Sequence, residues 1–143
     1  MTQTILCAID INRPNEEAVV LQKAAQLAAM EDAQLDLLTV VPDFGATVVG
    51  AYFEEHHVAT ARDTADEQLK SFAEGVLGKD ANANVRHLVA VGSVYQEILH
   101  AAKLAGSDLI VLGAHNPDLK DYLLGPNASR VVRHANCSVY VVR

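Results

Sequence analysis

Five short apolar runs alternate with helical segments along this 143-residue chain, and the alternation constrains the fold more than any other feature. The runs are apolar on both faces, as in QLDLLTVV and SDLIVLGA, which is typical of parallel strands covered by helices on either side. Strand and helix follow each other without internal repeats. The sequence therefore predicts one domain over residues 1–143, an α/β fold with an open, doubly wound, five-stranded parallel sheet and helices on both faces.

Turn and capping residues mark the boundaries of these elements. Asn12 or Asn15 is the predicted N-cap of the first helix, because either side chain could accept a backbone N–H there. Ser93 is the predicted N-cap of a later helix, and Gly106 is expected to end it. A long loop without clean periodicity is predicted from residue 42 to about residue 58. The predicted strands cover 4–11, 34–41, 84–92, 107–114 and 137–143, and the predicted helices cover 16–33, about 58–76, 93–106 and 127–136.

Composition and charge narrow the classes of function. The formal net charge is −7 and the pI is about 5.2, so we expect no nucleic-acid partner and no membrane insertion. Cys7 and Cys137 lie in apolar strand-like runs and form no C-x-x-C pair, which argues against zinc and thioredoxin chemistry. The start, MTQTILCAID, has no basic stretch followed by a long apolar one, so we expect a cytoplasmic protein.

The loop after the first strand limits how a ligand could bind. Ligands of doubly wound sheets bind beyond the carboxyl ends of the strands, and the first loop there reads DINRPNE. It has no glycine, which excludes the G-x-G-x-x-G and Walker A phosphate loops. Asp10 would repel phosphate but could accept hydrogen bonds from a base or a sugar hydroxyl. An Asp that only ties the loop or caps the helix is an equally good interpretation.

Two glycines frame the loop after the fourth strand. Gly113 ends that strand and Gly125 is expected to begin the last helix, so backbone N–H groups from Gly125 onward would point into the cleft. The pattern is typical of a phosphate-binding loop, and an ordinary surface loop is the alternative. No residue pairs a nucleophile with a base and an orienting group, and no spacing indicates a metal site. We therefore expect no catalytic residues and no metal ligands.

The last 31 residues, GAHNPDLKDYLLGPNASRVVRHANCSVYVVR, resemble the C-terminal signature of the universal stress protein family. Nucleotide-binding members of that family carry G-x2-G-x9-G-(S/T) there, and the present segment is most similar to the enterobacterial F and G types. The segments TILCAID and LLTVVP extend the similarity to the rest of the chain. The resemblance implies a Rossmann-like sheet of order 3-2-1-4-5 and a homodimer formed through the final strand, CSVYVVR.

The resemblance also implies an ATP site. Whether Mg²⁺ accompanies the ATP stays open. Position by position, Asp10 and the Val40 backbone would meet adenine and Gly113 would lie by the ribose. The phosphates would be surrounded by two segments, 115–116 and 125–127. The full implied set of nucleotide-binding residues is Ala8, Ile9, Asp10, Val40, Gly113, His115, Asn116, Gly125, Pro126 and Asn127.

Two positions depart from the family signature. Asn116 stands where the signature has its second glycine, and the spacer from there to Gly125 is one residue short, although the F and G types also replace that glycine. Pro126 stands where the signature has Ser or Thr, which removes a hydroxyl and a backbone N–H from the expected phosphate cradle. Since proline is tolerated in the first turn of a helix, the fold is compatible with this change.

The function that follows from the resemblance is ATP binding by a regulatory or signalling protein of the stress response, without efficient catalysis. Its occupied state or its dimer surface would signal to a protein partner that the sequence does not identify. The alternative is a dimeric interaction module of the same fold that binds no nucleotide, and the changes at Asn116 and Pro126 keep this alternative open. Slow ATP hydrolysis or autophosphorylation also stays open.

Overall fold

The computed structural model of the protein describes residues 3–42, 55–114 and 126–143. Its strands form one parallel sheet in the order β3-β2-β1-β4-β5, which confirms the predicted fold and strand order. β1 lies at the centre, between β2 and β4. The chain adds β2 and β3 on one side of β1 and then β4 and β5 on the other side. The strands are β1 (Thr4–Ala8), β2 (Gln34–Pro42), β3 (Arg86–Gly92), β4 (Leu109–Gly113) and β5 (Ser138–Val142).

Helices cover both faces of this sheet, as the continuous apolar runs predict. The helices are α1 (Pro14–Glu31), α2 (Glu55–Leu77), α3 (Lys79–Asn82), α4 (Val94–Ala105) and α5 (Pro126–His134). α1 and α2 pack on one face, and α4 and α5 pack on the other. The short helix α3 was not predicted. No helix in the described part of the chain combines the length and the apolar character needed to span a membrane.

Alternating side chains of β1 divide the core between the two faces. Ile5 and Cys7 belong to the apolar cluster beneath α1 and α2, whereas Leu6 and Ala8 belong to the cluster beneath α4 and α5. This two-residue period follows from the pleat of the strand. Because both faces of β1 are buried, the central strand is fixed from both sides, and its carboxyl end is held where a ligand cleft would form.

The start of α1 differs from the prediction. Neither Asn12 nor Asn15 caps the helix: the N-cap position is Arg13, without a side-chain hydrogen bond to the helix. Pro14 takes the first helical position, where its missing N–H costs nothing, and this places Asn15 inside the helix. β1 also ends at Ala8 rather than at residue 11: the N–H of Ile9 still bonds the Leu38 carbonyl, and the chain then turns between Asp10 and Arg13.

α4 follows its prediction more closely. Ser93 occupies the N-cap position, but its side chain makes no capping hydrogen bond. Gly106 ends the helix with a φ of +66°, a left-handed conformation that favours glycine. The helix positions Val94 and Ile98 against the carboxyl ends of β1 and β2, in the wall of the cleft described next.

Candidate functional site

A cavity of about 220 Å³ lies at the carboxyl ends of β1, β2 and β4, beside the start of α5. The position is the switch point between β1 and β4, where doubly wound sheets bind their ligands. The structure brings seven of the residues predicted from sequence together around this one cavity, and the other three, His115, Asn116 and Gly125, lie outside the described residues. The seven are Ala8, Ile9, Asp10, Val40, Gly113, Pro126 and Asn127.

Asp10 both ties the loop and lines the cavity. Its Oδ1 accepts a hydrogen bond from the N–H of Asn12 at 3.0 Å, which closes the turn between β1 and α1. The side chain is nevertheless exposed at the cavity wall. The loop-tying role proposed as one of two interpretations is thus present, and it uses only one of the two carboxylate oxygens.

Glu17 is the wall residue that sequence reasoning missed. The N–H of Asp10 donates a hydrogen bond to Glu17 Oε1 at 2.8 Å, so the side chain of α1 holds the turn from behind. Glu17 is only 6% exposed, and its Oε2 is buried without a hydrogen-bond partner among the described residues. A signal was present in the sequence, because Glu17 shares a helix face with the core residues Val20, Leu21 and Ala24.

The environment of Glu17 favours its neutral form. Burial raises the pKa of this carboxyl from the ordinary 4.5 to about 7, and the Asp10 N–H opposes this by stabilising the charged form. The nearby carboxyl of Asp10 raises the pKa further, whereas the guanidinium of Arg13 lowers it. Near neutral pH, the cavity wall therefore contains a carboxyl group that is poised between its two protonation states.

Arg13 contributes a positive charge to the same wall. Its Nε lies 3.2 Å from Glu16 Oε2 in a partly exposed ion pair at the start of α1. An Arg at this position favours an anionic ligand and partly offsets the negative charge of Asp10. The remaining wall is largely apolar, as is common in ligand pockets, and is formed by residues that include Leu38, Val94, Ile98, Leu112 and Ala128.

The N-terminus of α5 completes the described wall. Pro126 is its first residue and has no backbone N–H, so Asn127 and Ala128 supply the first backbone donors of this helix. The positive end of the helix dipole would favour a negatively charged group here. The cavity thus has a carboxylate on the β1 side and a helix N-terminus on the β4 side.

A second cavity, of about 360 Å³, lies at the opposite end of the sheet, between the C-terminal ends of α4 and α5. Its residues include His100, Lys103, Ser107, His134 and Cys137. The negative ends of two helix dipoles adjoin it, so the positive charge of Lys103 has a structural role there without any ligand. Burial also raises the pKa of the Cys137 thiol, which disfavours a reactive thiolate. Although larger, this cavity suits an anionic ligand less well than the first.

The fold and the first cavity together define an α/β protein with a ligand cleft at the switch point of a doubly wound sheet. The model of the "Universal stress protein family" matches residues 1–143. The chain therefore belongs to the universal stress protein family. It is similar to "Universal stress protein G" of Escherichia coli O157:H7, with 31% identity over an alignment of 151 positions that covers 100% of both chains.

Two solved structures of the family extend the comparison. A universal stress protein in complex with cAMP matches with a TM-score of 0.61 and 20% identity, over 99% of this chain and 97% of the other. The universal stress protein from Archaeoglobus fulgidus in complex with dAMP matches with a TM-score of 0.66 and 19% identity, over 99% and 98%. At these identities the comparison establishes a common fold.

Proposed function

We propose that the protein binds ATP in the cleft at the β1–β4 switch point and acts in the cytoplasm as a regulatory or signalling component of the stress response. Binding would change the surface that the protein presents to a protein partner, and the protein would not turn ATP over efficiently. The observation that carries this proposal is the convergence of seven predicted residues, from β1, β2, β4 and α5, on one cavity.

The polarity of the cleft supports an adenine nucleotide. Asp10 keeps one carboxylate oxygen free of the Asn12 contact, so that oxygen can accept hydrogen bonds from an amino group or a ribose hydroxyl. Val40 and the other apolar wall residues suit the faces of a purine ring. The N-terminus of α5, at the other end, suits phosphate. Related proteins of the same fold were solved with cAMP and with dAMP, both adenine nucleotides.

The described lining supports binding more than catalysis. Its polar side chains are those of Asp10, Asn12, Arg13, Glu17 and Asn127. None of the lining residues within the described ranges has a hydroxyl, thiol, amine or imidazole group, so the described wall offers no side-chain nucleophile of these types. A nucleotide that is held rather than hydrolysed is consistent with a regulatory role.

Calorimetric titration with ATP, with and without Mg²⁺, tests the proposal. Asp10→Ala should weaken ATP binding by about tenfold or more, the value of one or two hydrogen bonds to a charged group. Asp63→Ala is the matched control, because Asp63 is an exposed residue of α2 that does not line the cleft. The proposal fails if the parent protein binds no adenine nucleotide, or if Asp10→Ala and Asp63→Ala bind ATP equally well.

A dimeric interaction module is the second candidate function, and the position of Pro126 favours it. This residue lies in the cleft wall where a serine or threonine would add a hydroxyl and an N–H for phosphate. If the weakened cradle leaves the site without a physiological nucleotide, the same fold would act through its dimer surface. Both functions use a homodimer, which we propose forms through β5.

The edge of the sheet supports this dimer. β5 pairs with β4 alone among the described strands, and its Tyr140 is 39% exposed. The Val142 carbonyl accepts the N–H of Ala114, so the backbone N–H and C=O of Val142 face β4. Because this direction alternates along a strand, those of Tyr140 also face β4, whereas those of Val141 face the open edge. An apolar edge with free backbone groups is a template for pairing with a second copy.

Sedimentation equilibrium tests the dimer. Val141→Pro removes an N–H from the open edge but no hydrogen bond to β4, so it should convert the dimer into a folded monomer of 15.3 kDa. Val141→Ala, which keeps the N–H, should remain a dimer. A parent protein that sediments as a monomer at micromolar concentration, or a dimer that withstands Val141→Pro, would contradict pairing through β5.

A further inference from the structure

Glu17 combines three features beyond its hydrogen bond to the turn between β1 and α1. It is nine-tenths buried, it lines the proposed nucleotide cleft, and its Oε2 has no hydrogen-bond partner among the described residues. A buried carboxyl oxygen without a partner is costly, and an apolar side chain at this position of α1 would avoid the cost. The other oxygen holds the N–H of Asp10 at 2.8 Å. The retained carboxyl group therefore acts on the turn that carries Asp10.

The geometry points to Glu17 as a proton-dependent positioning residue: its Oε1 holds the N–H of Asp10 in both protonation states, and its ionisation places a second negative charge in the cleft wall that repels an anionic adenine nucleotide. Binding of the nucleotide would then be coupled to uptake of a proton by Glu17. This inference rests on the proposed nucleotide site and adds to it a dependence on pH near neutrality.

Several titratable groups surround Glu17, and their charges set the direction of this effect. Cys7 faces it from β1, and burial raises the pKa of that thiol well above its ordinary value, so Cys7 stays neutral. Asp10 and Arg13 face it from the turn, with opposite charges, and Glu16 lies beside it on α1. Arg13 is already paired with Glu16 at 3.2 Å. The closest groups thus leave a second negative charge on Glu17 poorly compensated.

Linkage fixes the sign of the pH dependence. Since burial raises the pKa of Glu17 to about 7, ionisation is less favourable in this arrangement than in water. Oε1 keeps the N–H of Asp10 in the ionised form, so ionisation acts on the ligand through the repulsion between the Glu17 carboxylate and a negative phosphate. A negative phosphate in the cleft raises the pKa further. Affinity for an anionic nucleotide should fall as the pH rises through about 7.

Calorimetric titration with cAMP tests the inference, because its phosphodiester has one permanent negative charge and does not ionise near neutrality. Between about pH 6 and about pH 8, the parent should lose about tenfold in affinity, as one ionisation with a pKa near 7 dictates, and should take up about one proton on binding at the higher pH. Glu17→Gln, which keeps an oxygen acceptor for Asp10, should bind with nearly constant affinity. Glu31→Gln is the matched control and should behave as the parent does, because Glu31 is an exposed residue at the other end of α1 that does not line the cleft.

A second measurement needs no ligand. The amide N–H resonance of Asp10 should shift with pH around a midpoint near 7 in the parent and in Glu31→Gln, and this transition should disappear in Glu17→Gln. If the parent binds no cAMP but the Asp10 amide follows Glu17, the proposed nucleotide function fails and the positioning role stands. If cAMP binds with the same pH dependence in the parent and Glu17→Gln, or if the Asp10 amide shows no such transition, the role of Glu17 is overturned.

Discussion

Two buried carboxyl groups in this protein have opposite surroundings. Asp36, at the amino end of β2, is fully buried, and both of its oxygens accept hydrogen bonds from Arg86, at 2.6 Å from Nε and 2.7 Å from Nη2. Glu17, at the carboxyl end of the sheet, accepts one backbone N–H and leaves Oε2 without a partner within the described residues. The two carboxyl groups therefore differ in whether the fold gives both oxygens a hydrogen-bond partner.

The difference separates a structural carboxylate from one that is available for function. Asp36 and Arg86 are direct neighbours in the register of β2 and β3, so the pair fixes that register and leaves no oxygen for a ligand. Glu17 keeps unused hydrogen-bonding capacity beside the cleft, which natural proteins retain mainly at functional sites. Three substitutions test this contrast.

The largest expected effect concerns the stability of the parent relative to Glu17→Gln as a function of pH. Since the folded-state pKa of Glu17 is raised from 4.5 to about 7, its contribution to stability is fully present below the lower value and is lost as the pH rises to the higher one. The free energy of unfolding of the parent should therefore fall by up to about 3 kcal/mol relative to that of Glu17→Gln across this range.

Urea denaturation at a series of pH values measures this difference. Comparing the slopes of unfolding free energy against pH removes any constant effect of the new amide. Glu31→Gln, which changes an exposed carboxyl at the other end of α1, should not alter the slope. Parallel curves for the parent and Glu17→Gln would mean that Glu17 is not buried in the way described.

The next effect concerns the satisfied carboxylate. Arg86→Met should destabilise the fold by about 2 kcal/mol, because it leaves the buried Asp36 without its partner. Lys70→Met is a matched control: Lys70 is as exposed as Arg86, at 56%, but its partner Asp66 is also exposed, so the loss should stay below about 0.5 kcal/mol. Equal losses in urea denaturation would contradict the structural role of the Asp36 pair.

The smallest effect concerns the phosphate side of the cleft. Pro126→Ser restores a backbone N–H and a hydroxyl at the first position of α5, and it should tighten ATP binding by about 1 kcal/mol, the value of one hydrogen bond. Pro14→Ser makes the same change at the first position of α1, away from the cleft, and should leave the affinity unchanged. An equal or weaker affinity of Pro126→Ser in calorimetry would favour the interaction module.

Sequence patterns predicted the sheet and the place of the cleft because both depend on burial that recurs along the chain. Continuous apolar runs require helices on both faces, and the carboxyl ends of parallel strands then meet at one edge. Gly106 was predicted as the end of α4 because its left-handed conformation is a local property of the chain. The order 3-2-1-4-5 came from the resemblance to the family and agrees with the structure.

The partners of individual polar groups were not predictable in the same way. The contact between Asp36 and Arg86 joins residues 50 positions apart and depends on strand register. The helix face that Glu17 shares with Val20, Leu21 and Ala24 indicates its burial, but its partner, the N–H of Asp10, depends on how the turn after β1 folds. The N-cap of α1 was wrongly predicted because Pro14 sets the helix start independently of the neighbouring asparagines.

The central claim is that the cleft at the carboxyl end of the sheet binds an adenine nucleotide. Amide N–H correlation spectra recorded during a titration with ATP test it most directly, because they distinguish the two ends of the molecule. We expect the largest shifts at Ile9, Asp10, Gly113 and Asn127, and none at residues 100–107 around the opposite cavity. Unchanged spectra, or shifts confined to residues 100–107, would contradict the proposed site.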